Sequence, residues 1–169
     1  MPARKNATKK RARASASVKL ADALSRRADL QKRIEQIRQR MQRNALVQQG
    51  EAPAEDPRVL LRDFDAMADE LQRLIERINR TNALTEIDDG PTISDAIAER
   101  DTLRIRHTAY RELAQAATVV QSRTTKSEVK FQATVNVTQL QKRADEFARK
   151  HREIDQRIQQ ANWSTDLVD

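Results

Sequence analysis

The sequence of 169 residues contains no cysteine, two glycines, four prolines and two histidines. Without cysteine, the chain cannot form disulfides, thiolate metal sites or a thiol nucleophile. Two histidines nearly exclude the usual imidazole metal cages, and two glycines cannot build a phosphate-binding loop or a dinucleotide fingerprint. We therefore expect no metal and no cofactor.

Aromatic residues make up only 3% of the sequence, which argues against a β-sandwich or a β-barrel. The longest uncharged stretches have about ten residues, whereas a bilayer-spanning helix needs ~20. The chain begins with basic residues, but Lys19 and Asp22 interrupt the apolar region that a signal peptide requires. We therefore expect a cytoplasmic protein without a membrane span.

The formal net charge of +7 comes from 32 lysines and arginines and 25 aspartates and glutamates. Seven of these bases lie in residues 1–19, which contain no acid, so the remaining 25 bases match the 25 acids. The excess charge therefore belongs to an N-terminal tail and does not indicate a basic domain. We predict a disordered basic tail over residues 1–17 and a helical domain over residues 18–169.

Long stretches rich in alanine, leucine and charged residues predict four helices. The first is expected over about residues 17–49, and the second begins at the cap Asp56 and Pro57. Apolar residues in these two helices repeat with steps of three and four, as in coiled coils. They are Leu30, Ile34, Ile37 and Met41, followed by Leu60, Phe64, Met67, Leu71, Leu74 and Ile78.

The third helix is expected over about residues 95–122 with Thr92 or Ser94 as its cap, and the fourth ends near Asn162. Its cap is expected to be Asn136 or Thr138. Trp163 and Leu167 lie in a short tail that we expect to fold back.

The first two helices differ in charge. Residues 1–43 contain fourteen bases and three acids, whereas residues 51–101 contain six bases and fourteen acids. Adjacent helices of opposite charge that are joined by a short loop favour an antiparallel pair, in which the charges select the partner.

Two segments have a different pattern. Residues 126–137 alternate between apolar and polar side chains, which predicts a half-buried strand. Residues 85–93 indicate two short extended pieces around a turn. The sequence therefore predicts a mainly α fold: an antiparallel four-helix bundle with long coiled-coil-like helices and a small β element.

Six segments within residues 18–169 are similar to one known family. They are LSRRADLQKRI at 24–34, the loop at 49–57, and the segments at 78–82, 89–90, 95–101 and 162–163. The chain resembles a family of small bacterial helical proteins labelled septicolysin-like. The resemblance implies a helical fold, and the family label implies a membrane-active cytolysin. It implies no catalytic residues.

Polar residues concentrate where the second helix ends and the third begins. They could form an anion pocket, because the N-terminus of a helix attracts negative charge. The alternative is a network of caps and salt bridges that fixes the chain reversal. The residues are Asn79, Arg80, Asn82, Asp95, Arg100, Asp101 and Arg104.

His107 and His151 do not belong to the spacing patterns of di-iron bundles or zinc proteases. We expect His151 to be a hydrogen-bonded or boundary side chain. The alternative is a pH-sensitive contact, because imidazole titrates near neutral pH.

The basic tail also has two interpretations. It could be an arm that binds phosphate backbones by counterion release, or a solvated extension without function. The six basic residues of this arm are Arg4, Lys5, Lys9, Lys10, Arg11 and Arg13.

No acid, base and nucleophile are brought together by any sequence motif, so we do not expect an enzyme. Strand edges and charge-interrupted helix faces favour self-association as a dimer or a ring of dimers such as a hexamer. We predict a noncatalytic, self-associating helical scaffold or interaction protein. The alternatives are a nucleic-acid-associated protein that uses the basic arm and the membrane-active protein that the family label implies.

Overall fold

The computed structural model describes residues 17–118 and 132–168. These residues form four α-helices: α1 (Leu20–Arg43), α2 (Pro57–Leu84), α3 (Ile93–Ala116) and α4 (Val137–Ser164). Helix α1 packs mainly against α2, and α3 packs mainly against α4. The chain therefore forms a first helix pair and a second helix pair, and the prediction of a mainly α fold is confirmed.

Helix α2 begins where the sequence predicts, but α1 is shorter than predicted. The carboxylate of Asp56 accepts a hydrogen bond from the backbone nitrogen of Arg58 at 2.8 Å. Helix α1 ends at its C-cap Asn44 and not near residue 49, because the Asn44 side-chain nitrogen donates to the Arg40 carbonyl at 2.9 Å. The side-chain oxygen of Asn44 also accepts from the Glu55 backbone nitrogen at 3.1 Å, which ties the loop to the end of the helix.

Helix α3 begins with a capping box. The Thr92 hydroxyl accepts a hydrogen bond from the Asp95 backbone nitrogen at 3.1 Å, and the Asp95 carboxylate accepts from the Thr92 backbone nitrogen at 3.3 Å. Two of the free N–H groups at the start of the helix are thereby satisfied. Thr92 rather than Ser94 is the cap.

We expect Thr92→Ala to lower the free energy of unfolding by about 0.5–2 kcal/mol, the usual cost of losing such a cap. Ser94→Ala, two residues away inside the helix, is the matched control and should change it by less than about 0.5 kcal/mol. Urea unfolding followed by circular dichroism measures both. Equal losses in the two variants would contradict the assignment of the cap.

The predicted β element is not a sheet in the described residues. Residues 85–93 form a tight reversal in which Asp88 and Asp89 have φ angles of 52° and 53°. A single β-bridge joins Glu86 to Thr92. In the other predicted strand, residues 126–131 lie outside the described residues and residues 132–136 are irregular.

Val137, predicted as the end of that strand, is instead the first residue of α4. The cause is local: the side chain of Asn136 accepts a hydrogen bond from the Gln139 backbone nitrogen at 3.0 Å, which starts a helix at this point. Asn136 is thus the cap of α4; the sequence predicts either Asn136 or Thr138.

Both helix pairs meet at one end of the molecule, which we call the head (residues 17–24, 74–96 and 154–168). The four largest side chains with almost no exposed surface lie there, namely Leu20, Ile78, Thr81 and Ile93. The other residues of the same apolar core within the head are Ala23, Leu74, Ile87, Ala96, Ile154 and Ile158. The head is therefore the part of the described molecule that is most completely packed.

Away from the head, the predicted apolar repeats are only partly buried. Ile37 and Leu60 are buried in the first helix pair, but they do not join the core of the head. Ile34, Met41 and Phe64, which belong to the same predicted repeats, are half-buried. Each helix of a pair can shield only one side of its neighbour, so part of the predicted core remains in contact with solvent.

The residues that follow α4 fold back over the head, and we call residues 165–168 the strap. The Leu20 backbone nitrogen donates to the Thr165 carbonyl at 3.0 Å, and the Leu167 nitrogen donates to the Val18 carbonyl at 2.8 Å. Leu167 packs against the core, as predicted for the tail. Trp163 remains inside α4 and is exposed.

Candidate functional site

The structure brings together some of the predicted polar residues at the junction of α2 and α3. The Arg100 guanidinium lies 3.0 Å from the Asp101 carboxylate and 3.5 Å from that of Asp155. Asp95 serves the capping box. Two carboxylates thus balance the positive charge of Arg100, which leaves less of it to attract an anion.

The other predicted members of this cluster differ in exposure. Asn79, Arg80 and Arg104 are exposed, and Asn82 is half-buried. The anion pocket therefore stays a prediction, and the bonds described above correspond to the alternative of caps and ion pairs.

Arg157 is a residue of the head that the sequence analysis did not single out. Its guanidinium donates to the Asp88 carboxylate at 2.9 Å and to the Ile87 carbonyl at 3.5 Å. This bond fixes the tight reversal between α2 and α3 against α4. The sequence predicts that Arg157 belongs to the fourth helix. It does not predict that the reversal at residues 85–93 lies beside Arg157, because only the folded head brings the two together.

The segment before α1 and the segment after α4 meet in a polar cluster that could not be recognised in the sequence. The Lys19 ammonium donates to the Ser164 carbonyl at 2.9 Å and lies 2.7 Å from the Asp166 carboxylate. The Ser17 hydroxyl donates to the same carboxylate at 2.9 Å. We call these four residues the clasp. The six bases of the predicted arm lie in residues 1–16, outside the described residues, so the clasp is located where the arm joins the domain.

Hydrogen bonds to two exposed carboxylates hold their pKa values below the ordinary range. The Lys19 ammonium, and next the Ser17 hydroxyl, lower the pKa of Asp166. The Arg40 guanidinium lowers the pKa of Glu55 in the same way. Because the folded state favours the charged carboxylates, these bonds stabilise the fold above the ordinary carboxyl pKa of about 4.

We expect the urea midpoint to change little between about pH 7 and pH 5 and to fall as the pH drops below about 4, through the lowered folded-state pKa values. Asp166→Asn should show a weaker acid dependence, because it lacks one of these groups. Urea titrations at a series of pH values measure the effect. An acid dependence as steep as that of the unmodified chain would contradict this role of Asp166.

Ion pairs also connect α1 to the middle of α2 and to the loop just before α2. Arg26 pairs with Glu70, with a distance of 3.1 Å from Nε to the carboxylate, and Arg40 pairs with Glu55. A groove of about 480 Å³ lies beside the ion pair of Arg26 and Glu70. Its lining residues are Asp22, Ser25, Arg26, Asp29, Leu30, Arg33 and Glu70. The opposite charges that the sequence analysis noted in these regions therefore meet across the first helix pair.

We expect Arg26→Glu and Glu70→Arg each to destabilise the fold slightly and the double exchange to restore most of the loss. The coupling should be about 0.2–1 kcal/mol, because both side chains are well exposed to water and salt. A double-mutant cycle in urea at low ionic strength measures it. Strictly additive losses would show that the pair does not select the partner helix.

The second helix pair contains an aromatic contact. The rings of Tyr110 and Phe147 meet edge to face, with their centroids 5.2 Å apart. The Arg106 guanidinium lies 5.9 Å from the Phe147 ring centroid, a distance at which a cation is attracted to an aromatic face. Arg106 is exposed, so the favourable contact with the ring forms at the surface of the second helix pair.

The histidines do not form a metal site in the described part of the chain. His107 lines a groove together with Arg111 and Asp145, and His151 is half-buried. Within residues 17–118 and 132–168, no three metal-ligating side chains lie close enough to hold an ion. In the same segments, no helix has the length and apolar character needed to cross a membrane.

In the described residues, these features define four helices, with the segment before α1 joined to the segment after α4 at the head. The chain belongs to a family of unknown function (DUF6847), whose pattern matches residues 27–167. It is similar to a crystal structure of a functionally unknown conserved protein from Corynebacterium diphtheriae. The identity is 38% and the TM-score 0.83, and the match covers 90% of this chain and 99% of the other. No curated protein matches the chain.

The resemblance to the septicolysin-like family is wrong, because the family that matches is a different one. Short segments rich in arginine, leucine and alanine recur in many helical proteins and do not identify a family on their own. The membrane-active function that the label implied therefore has no remaining support.

Proposed function

We propose that the protein is a noncatalytic helical scaffold that associates with further copies of itself. The observation that carries this proposal lies at the loop end of the first helix pair, where residues 44–56 connect α1 to α2. Leu46 is 90% exposed, and Val47, Val59 and Leu61 are exposed as well. Exposed apolar side chains that concentrate in one part of a protein favour contact with another protein.

The order of contacts between the helices supports an antiparallel arrangement for this scaffold. Going along α1 from Arg26 to Arg40, the partners run backwards along the chain, from Glu70 within α2 to Glu55 just before it. The contacts of α3 with α4 run in the same reversed order, from Asp155 beside Arg100 to Phe147 beside Tyr110. Two antiparallel pairs joined at the head would hold the loop end of the first pair available for contact.

The noncatalytic part of the proposal rests on side-chain chemistry. Nucleophilic catalysis by serine or threonine needs a base that is hydrogen-bonded to the hydroxyl. Among the described residues, neither His107 nor His151 makes such a bond. The hydroxyls of Ser25, Thr102 and Thr118 donate to backbone carbonyls three or four residues earlier in the chain.

Leu61→Glu tests the proposed contact surface. We expect this variant to sediment with a smaller mass than the unmodified chain, because a buried carboxylate in the contact would be costly. Ile105→Glu is the matched control: Ile105 is 65% exposed on α3, so the same substitution there should leave the mass unchanged. Circular dichroism confirms folding. Equal masses for all three chains would contradict the role of Leu61.

A second candidate function is association with nucleic acid through the basic arm. Helix α1, which follows the arm, itself contains seven bases and three acids. The arm therefore continues into a positively charged helix, which favours contact with a phosphate backbone.

A gel shift with a short DNA duplex tests this second function by comparing the full chain with a form that lacks residues 1–16. We expect the full chain to bind more tightly at low salt. For the full chain, the slope of the logarithm of the binding constant against the logarithm of the salt concentration should be steeper by about 0.9 for each phosphate that the arm contacts. Equal binding by the two forms would contradict a function of the arm.

A further inference from the structure

We propose that the end of α4 and the strap are autoinhibitory: the Ser164 carbonyl and the Asp166 carboxylate hold the ammonium of Lys19 and compete for it with the phosphates of a nucleic acid. Lys19 is the last of the seven bases in residues 1–19. The proposal rests on the second candidate function, in which the arm binds nucleic acid, and it adds a regulation to that site.

The clasp satisfies the positive charge of Lys19 with two kinds of negative partner. The Ser164 carbonyl, 2.9 Å from the ammonium, belongs to the last residue of α4. Carbonyl groups at this end of a helix have no partner within the helix and carry the negative end of its dipole. The Asp166 carboxylate, at 2.7 Å, adds a full negative charge. A phosphate that binds Lys19 must replace both contacts.

The clasp is also open to such a competitor. The Lys19 side chain is 39% exposed and that of Asp166 is 55% exposed, so a phosphate can reach the ammonium from solvent. The Ser17 hydroxyl, at the beginning of the described chain, donates to the same carboxylate at 2.9 Å. Asp166 is therefore bonded to two residues of the segment through which the arm joins the domain.

The strap has anchors that do not depend on this ion pair. The Val168 backbone nitrogen donates to the Thr81 hydroxyl at 3.0 Å, and the Arg77 guanidinium donates to the Val168 carbonyl at 3.1 Å. The backbone bonds of Leu20 and Leu167 also hold the strap beside the first residues of the domain. Removing the charge of Asp166 should therefore release Lys19 while the strap stays in place.

Binding and release are linked. If the strap lowers the affinity of the arm for a phosphate backbone, then binding of that backbone must weaken the clasp by the same factor. The negative charge of Asp166 thus sets how much of the positive charge at the junction of arm and domain is available to a nucleic acid.

The test compares the full chain with Asp166→Asn in titrations of a labelled short DNA duplex, read by fluorescence anisotropy at several salt concentrations. We expect Asp166→Asn to bind several-fold more tightly at low salt, with a salt dependence steeper by about 0.9, as for one additional phosphate contact. The matched control is Asp89→Asn. It removes the same charge from an exposed site in the head, where asparagine tolerates the φ of 53°.

Lys19→Gln separates release of the ammonium from a general change in charge. Alone, it should alter binding little, because Lys19 is already held; combined with Asp166→Asn, it should abolish the gain in affinity. Equal binding by Asp166→Asn and Asp89→Asn would overturn the proposal. If neither the full chain nor Asp166→Asn binds DNA better than the form without residues 1–16, the candidate function itself fails, and the inhibition with it.

Discussion

Replacing Ile78 with alanine should lower the free energy of unfolding by about 2–5 kcal/mol, the largest effect that we expect from a single substitution. Ile78 is 1% exposed and belongs to the core of the head, together with Leu20, Ile93 and Ile158. The substitution removes apolar volume from a core to which all four helices contribute, and it leaves a cavity that the packed helix ends cannot readily close.

Ile105→Ala is the matched control for Ile78→Ala, because it removes the same atoms from a largely exposed site on α3. We expect a change of less than about 0.5 kcal/mol for the control. Urea unfolding followed by circular dichroism measures both variants. Similar losses would show that the head is not the part of the fold on which stability depends.

Thr81→Val should have the second largest effect, a loss of about 1–3 kcal/mol. Thr81 is 0% exposed; its hydroxyl donates to the Arg77 carbonyl at 2.8 Å and accepts from the Val168 backbone nitrogen at 3.0 Å. Valine fills nearly the same space but leaves the Val168 N–H without its acceptor. The strap should therefore detach more often from α2, and the amide of Val168 should exchange its hydrogen faster.

Thr102→Val provides the control for Thr81→Val. Thr102 is exposed on α3, and its hydroxyl donates to the Glu99 carbonyl of its own helix at 2.9 Å. We expect this control to change stability by less than about 0.5 kcal/mol and to leave exchange at Val168 unaltered. If Thr81→Val also leaves exchange at Val168 unaltered, the hydroxyl does not anchor the strap.

Features with local causes could be predicted from the sequence. The start of α2 follows from the side chain of Asp56 and the fixed φ of Pro57, both of which act within one turn. Helix α1 ends before the predicted residue 49. The bond between Asn44 and Glu55 could not be predicted, because it depends on how the loop returns to the helix. The strand predicted over residues 126–137 does not extend to Val137, because the cap formed by Asn136 prevails over the alternating pattern there.

The candidate sites show the same distinction. Arg100 and Asp101 are neighbours in the sequence, and their ion pair is among the predicted polar contacts. The clasp could not be predicted in this way, because Ser17 and Asp166 are 149 positions apart and share no motif. Only the shared core of the head brings the two chain ends together and gives Asp166 its position beside Lys19.

The net charge of the chain also has a more specific meaning in the structure. The bases of α1 are partly balanced by acids of α2 and of the loop before it, as in the contacts of Arg26 with Glu70 and of Arg40 with Glu55. The positive charge of Lys19 is balanced by the strap. The charge on the six bases of residues 1–16 is therefore what distinguishes the arm from the domain, and Asp166 acts at the boundary between them.

Self-association is tested most directly by the molar mass of the full chain in solution, measured by light scattering over a dilution series. We expect an even multiple of the mass of one chain, as for a dimer or a ring of dimers, that persists until the protein is strongly diluted. The mass of a single chain at every concentration would contradict the proposed scaffold.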